Sequence, residues 1–153
     1  MKNSNFTRVI PKLYCLNYRE CDPKKCTGIK LKKLNLVELI NRINGTLKKS
    51  LILNPFAQKE LSLTDKEIVL KYGIIVIDCS WKNIMNLKTL RFRNARKLPP
   101  LIAVNPTNYG KWEKLSSAEA LAAALYITKY FEQANEILSK FSWGFQFKEL
   151  NNL

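Results

Sequence analysis

Residues 73–80 read GIIVIDCS, an unbroken apolar and mostly β-branched run that meets its first charge at Asp78. A strand with one wet face alternates apolar and polar residues. This run does not alternate, so both of its faces have to be covered. That is the situation of an inner strand in a parallel α/β sheet. The rest of the chain must then supply neighbouring strands, and cover on either side of the sheet.

The remaining sequence offers such pieces. PKLYCLNY at 11–18 reads as a first strand, and a loop with a turn at Asp22-Pro23 follows. Thr27-Gly28 begins a short helix, and LVELINRI at 36–43 carries a helical apolar period. LKKSLILNP at 47–55 reads as a second strand ended by Asn-Pro. Ser62 or Thr64, with Asp65, opens a helix over DKEIVLKY that Gly73 stops. A short helical piece at 83–90 follows the central strand, and PPLIAVNP at 99–106 reads as another buried strand. Ser116 with Glu119 three residues later forms a capping box, and the wide apolar arc over 118–141 predicts one long helix against the core. The tail adds Phe141, Trp143, Phe145 and Phe147. The pattern as a whole is α/β.

Histidine is absent, which removes Ser-His-Asp and Cys-His nucleophile systems and the H-E-x-x-H zinc site. Cys15, Cys21, Cys26 and Cys79 contain no C-x-x-C pair, so no metal is expected, and free thiols in a reducing compartment account for them. Neither G-x-G-x-x-G nor a P-loop is present, so a nucleotide-like ligand has to be held by strand-end and loop backbone groups. Asp78 stands at the carboxyl end of the strongest strand, where open α/β sheets bind their ligands. Trp81, three residues on, suits an adenine or a sulfonium, although a helix cap and a core residue account for the pair equally well. Thr27 and Ser117 each stand at a helix start, suited to a carboxylate or simply to capping. With no leader and no long apolar span, a soluble cytoplasmic protein is expected.

Lysine and arginine number 26 against 12 acids, a net charge of +14. That excess favours a polyanion, with a generally lysine-rich solvated surface as the plainer alternative. KLKKLN at 30–35 and RFRNARK at 91–97 concentrate the charge, and the second sets Phe92 between arginines. A stacking ring among phosphate-binding cations points to RNA. The candidate contacts are Lys30, Lys32, Lys33, Arg91, Arg93, Arg96 and Lys97.

CDPKKCTG, LNPFAQKELS with Asp65, GIIVIDCSW, LPPLIAVNPTNYGKWEKLSSAEALAAALYI and FSWGFQF with Leu150-Asn151 follow one another in this order. Together they resemble the archaeal and eukaryotic ribosome-biogenesis rRNA aminocarboxypropyltransferases. The resemblance implies a SPOUT-like α/β fold with a C-terminal trefoil knot. It divides the chain into an N-terminal α/β domain at 1–97 and a mostly helical, knotted domain at 98–153 that shares the cofactor site. It implies transfer of the 3-amino-3-carboxypropyl group of S-adenosylmethionine to N3 of a pseudouridine, usually one already methylated at N1, in small-subunit rRNA, by a monomer acting on the pre-ribosomal subunit and no membrane. Carried over by position, Thr27 and Ser117 hold the cofactor carboxylate, and the Ile77 carbonyl takes the ribose hydroxyls. Leu98 and the backbone of Glu113 read the adenine edge. Leu53, Pro55, Trp81, Leu115 and Ala120 line the adenine and methyl pockets, and Asp78 orients or deprotonates the acceptor base. Glu113 replaces an expected aromatic, which a backbone contact tolerates, and Ile84 replaces an expected small residue in the methyl pocket. The alternatives are a SPOUT-class RNA methyltransferase and a basic assembly factor without activity.

Overall fold

In a computed structural model of the chain, the described residues are 9–17, 27–78, 91–106, 109–110 and 115–153, with the backbone alone at Asn17 and Asp78. The run at 73–80 supplies β4 (Ile74–Asp78), the middle strand of a five-stranded sheet ordered β2-β1-β4-β3-β5. Its neighbours are β1 (Leu13–Asn17) and β3 (Leu51–Leu53), with β2 (Glu38–Ile40) and β5 (Ala95–Arg96) at the edges. Every pairing is parallel; Leu13 and Leu51 both face Ile74, and Asn17 faces Asp78. Ile74 and Val76 join Leu13, Cys15, Leu51 and Leu53 in the larger apolar cluster. Ile75 joins Leu16 and Ile52 in a smaller cluster on the other face. Both faces of β4 are therefore covered, which is why the run never alternates.

The helices α1 (Thr27–Lys33), α2 (Lys66–Tyr72), α3 (Ser117–Ile127), α4 (Phe131–Ser139) and α5 (Gly144–Leu150) all contribute to the larger cluster. Leu31, Val69, Leu121, Leu138 and Phe147 represent the five there, so the helices share one face of the sheet. The steps β1-α1-β2 and β3-α2-β4 cross the sheet in one direction over that face. The step from β2 to β3 goes the opposite way, and the right-handed crossover rule sends it over the opposite face. There residues 41–50 form a strap with a 3-10 turn at Gly45–Lys49, and Ile43 and Leu47 pack onto the smaller cluster.

The structure corrects several expectations. The helical period at 36–43 forms no helix, and its middle is the strand β2 (Glu38–Ile40). α1 ends in a left-handed turn at Asn35 (φ 59°), where Asn35 N–H donates to Lys32 O and Leu36 N–H to Leu31 O, which reverses the chain into the sheet. The long helix at 118–141 is two, because Lys129 (φ 66°) closes α3 in the same way before α4 begins. Residues 47–49 belong to the 3-10 turn and not to the second strand. The segment 99–106 is buried at Leu101 and Ala103–Asn105 but is no strand of the sheet. The Asn151 amide brackets Ile102, accepting its N–H at 2.7 Å and donating to its carbonyl at 2.9 Å. The fifth strand lies instead in the basic tract, at Ala95–Arg96. The turn at Asp22-Pro23 and the helical piece at 83–90 lie outside the described residues.

The SPOUT-like fold with a C-terminal trefoil knot is also corrected. The class is α/β, and the described residues form an open parallel sheet with helices on one face. None of them shows the chain threaded through a loop. Motif resemblance alone suggested the knot, and a knot is a property of the chain path that no local motif encodes. One apolar cluster also runs across the 97/98 boundary, from Leu13 to Phe147.

Candidate functional site

In a parallel sheet all strand carboxyl ends lie along one edge, and ligands bind outside it. Here that edge carries Leu53 at the end of β3, Ile77 and Asp78 at the end of β4, and Leu98 just beyond β5. After Leu53 the chain leaves the sheet through a turn in which Asn54 Oδ1 accepts the Phe56 N–H at 2.9 Å. Asn54 is buried while Pro55 between them is exposed. Leu53 and Ala120 are buried in the larger cluster, and Leu98 and Leu115 pack against it. Four of the expected pocket residues thus belong to one apolar cluster. Ile77 turns its side chain to the opposite face, toward the smaller cluster.

Thr27 and Ser117, ninety positions apart, meet. The Ala118 N–H donates to Thr27 Oγ1 at 3.1 Å, tying the start of α1 to the first turn of α3. Gly28 lets the start of α1 lie close to β1, since a Cβ there would come within 3.0 Å of Cys15 Sγ, while Ser117 Cβ at 3.7 Å would be in ordinary contact. The capping box forms as expected, with the Glu119 N–H donating to Ser116 Oγ at 3.2 Å and the Ser116 N–H donating to Glu119 Oε1 at 2.9 Å.

Glu119 also does something that the sequence did not reveal. Fully buried, its carboxylate accepts the N–H groups of Val104 (2.6 Å) and Asn105 (3.2 Å) and the Asn105 side-chain amide (2.6 Å). One side chain therefore fastens the loop after Leu101 to the helix start that carries Ser117. Gly28 and Asn105 were likewise missed; the only local signals were a glycine after Thr27 and the Asn-Pro pair.

The basic candidates separate. Lys32, Lys33, Arg91 and Arg93 are exposed, and Lys97 is half-buried. Lys30 is engaged within the fold: its Nζ donates to Lys140 O at 2.8 Å, at the end of α4, and lies 4.7 Å from the Phe141 ring centre. Arg96 is buried, with Nε 3.2 Å from Asp65 Oδ1 and Nη1 donating to Ala95 O at 2.9 Å. Arg96 is therefore a buried structural cation, while Lys30 is exposed and held at the surface by Lys140 and Phe141. Trp81, Ile84, Glu113 and three of the cysteines lie outside the described residues, whereas Cys15 is buried in β1.

Among the described residues no three His, Cys, Asp or Glu side chains gather as metal ligands, and no helix is long and apolar enough to cross a membrane. A hollow of about 370 Å³ lined by Phe145, Lys148, Glu149, Asn152 and Leu153 shares no residue with the strand-end site.

These features define an α/β protein with two joined helix starts and an aspartate at the carboxyl end of its central strand, and its sequence carries no phosphate loop. Residues 51–153 match the family model described as ribosome biogenesis protein, C-terminal. A protein of Methanocaldococcus jannaschii named 16S rRNA aminocarboxypropyltransferase is 47% identical over 93% of this chain and 83% of its own length. One of the same name from Methanosarcina mazei is 46% identical over 97% of this chain and 86% of its own length. The solved SAM-dependent rRNA:acp-transferase of Vulcanisaeta distributa covers 94% of this chain and 79% of its own, at 38% identity and a TM-score of 0.87. The chain belongs to the 16S rRNA aminocarboxypropyltransferase family. The fold it shares is that of this transferase, which replaces the SPOUT-like, knotted expectation.

Residues 11–45 also match a family model described as a possible Fer4-like domain in RNase L inhibitor. The residues do not fit an iron–sulfur cluster. Cys15 is buried inside β1, and the C-x5-C-x4-C run at Cys15, Cys21 and Cys26 lacks the C-x2-C pair that both the bacterial and the plant-type ferredoxin patterns contain.

Proposed function

We propose that the chain transfers the 3-amino-3-carboxypropyl group of S-adenosylmethionine to N3 of a pseudouridine, N1-methylated in the preferred substrate, in small-subunit rRNA. The reading includes a monomer acting on the assembling subunit in the cytoplasm. The observation that carries it is the junction of Thr27 with the first turn of α3, 3.1 Å across. Because Ala118 donates to the Thr27 oxygen, the hydroxyl proton is left for an anion. The Ser117 N–H beside it belongs to a first turn whose N–H groups have no intrahelical partner. A carboxylate fits between them.

The co-substrate supplies a sulfonium from which any of three carbons can be displaced, leaving a neutral thioether. Which carbon reacts is then a matter of placement, and this chain's residues set the placement. Thr27 and Ser117 hold the amino-acid carboxylate. Leu53, Leu98, Leu115 and Ala120, with Pro55 and Trp81, enclose the adenine and methyl, keeping the methyl from the acceptor. The backbone of Leu98 and Glu113 reads the adenine edge, and the Ile77 carbonyl takes the ribose hydroxyls. Asp78, beside Asn17 at the strand ends, orients the acceptor imide or removes its proton. Lys32, Lys33, Arg91, Arg93 and Lys97 meet the RNA backbone.

Asp78→Asn tests the assignment. Binding of cofactor and RNA, followed by calorimetry and anisotropy, should persist while single-turnover transfer slows by about 10²–10⁴. An unchanged transfer rate removes Asp78 from the chemistry.

A further inference from the structure

The strap at 41–50 lies over the sheet face that carries none of the five helices, and it is anchored from within. Ile43 and Leu47 pack with Ile52 and Ile75, and Phe92, from the basic tract, packs into the same cluster. The Asn94 side-chain amide donates to Lys49 O at 2.7 Å, fastening the strap to the tract beside it. Ser50 Oγ donates to Tyr72 O at 2.7 Å at the strap's end. With its apolar residues turned inward, the strap exposes Arg42 and Lys48, while Arg91 and Arg93 are exposed on either side of Phe92. Lys49 lies 5.8 Å from the Tyr72 ring centre and is partly engaged there. No acid occurs between Glu38 and Glu60, or between Asp78 and Glu113. Among the described residues, neither Arg42 nor Lys48 has an acidic partner.

We infer that Arg42 and Lys48 extend the contact of Arg91 and Arg93 with the RNA sugar-phosphate backbone along the strap, on the sheet face opposite the five described helices. It rests on the rRNA substrate of the proposed function and extends its footprint beyond the strand-end edge. The strap crosses from β2 to β3, three inter-strand spacings or about 14 Å, long enough to follow several phosphates of one strand. Its chemistry favours RNA over a lipid surface. A membrane-binding segment presents its large apolar residues outward, whereas here Ile43 and Leu47 are turned in and Arg42, Asn44, Thr46 and Lys48 face out. A surface of open cations on a rigid base binds phosphates with little sequence preference and with strong salt dependence.

The test is a salt series of anisotropy titrations with a fluorescent RNA hairpin of small-subunit rRNA sequence, comparing the full chain with its Arg42→Gln, Lys48→Gln double variant. The variant should bind about tenfold more weakly at moderate salt, with a log–log slope shallower by about 0.7–0.9 for each phosphate no longer neutralised. Calorimetric binding of S-adenosylmethionine should not change, since neither residue is among those assigned to the cofactor. Arg42→Lys with Lys48→Arg should restore the slope. An unaltered slope and affinity in the Gln variant overturns the inference. So does a variant that loses binding to phosphatidylserine vesicles while its RNA binding is intact. If the wild-type chain transfers nothing yet the Gln variant loses RNA binding, the contact surface stands and the proposed reaction falls.

Discussion

At the scale of single residues, Glu119 does two jobs with one carboxylate. It completes the cap of α3 and holds Val104 and Asn105 against the helix start. Glu119→Ala would take this acceptor away from four buried or half-buried donors. At about 1–3 kcal/mol for each unmet buried group, with partial relaxation, urea unfolding should show a loss of about 3–5 kcal/mol. The capping box was legible because Ser116 and Glu119 are three positions apart. The second job was not, because its partners lie 14 and 15 positions back, in a loop with no periodicity. Arg96 misleads for a related reason: charge density in a sequence does not say which cation folds inward. Tyr14 gives a pH test. Burial, and then the charge of Glu38, raises its phenol above the ordinary value of 10.0, and burial raises Tyr126 and Tyr130 too. The folded state prefers the neutral phenols, so their contribution is fully present below pH 10 and is lost as pH climbs through the raised values. Ultraviolet titration of the folded chain should show these rings ionising later than in urea. Glu38→Gln should move Tyr14 only part of the way back, because burial is the larger cause.

At the scale of elements, three helices end alike, with a left-handed residue at Asn35, Lys129 and Asn152. Asparagine is a readable stop and lysine is not, so the break between α3 and α4 was hidden inside a long apolar arc. The period at 36–43 fits a helix and a strand equally well over so short a span, and pairing with β1 decides it. β5 was concealed for another reason. Two residues in a basic tract carry no strand signal, and what holds them there is tertiary. Arg96 O accepts the Asn54 N–H at 2.9 Å, and the Arg96 side chain meets buried Asp65. Removing one member of a buried pair strands the other, so Asp65→Ala should lower stability by about 3–5 kcal/mol in thermal or urea unfolding. Adding Arg96→Met should recover part of that loss. Helix packing at the other end turns on Gly144. A Cβ there would overlap the Leu138 carbonyl of α4, so Gly144→Ala should cost about 2 kcal/mol or more and loosen α5 in hydrogen exchange.

At the scale of the whole molecule, the direction of each crossover decides what covers each face. Two steps in one direction place α1 and α2 on the helical side, and the described return from β2 to β3 lays a basic strap over the other side. The central strand, the α/β class and the strand-end position of Asp78 were legible in GIIVIDCS. The junction of Thr27 with α3 was not, since its partners are 91 positions apart and only the fold brings them together. The knot suggested by resemblance gave way for the same reason, because chain path is a global property. The measurement that tests the proposed reaction most directly uses S-adenosylmethionine labelled in the carboxyl carbon or in the methyl carbon, incubated with small-subunit rRNA and the full chain. The expected result is carboxyl label in the RNA and none from the methyl. Methyl label in the RNA, or no label from either position, would contradict it.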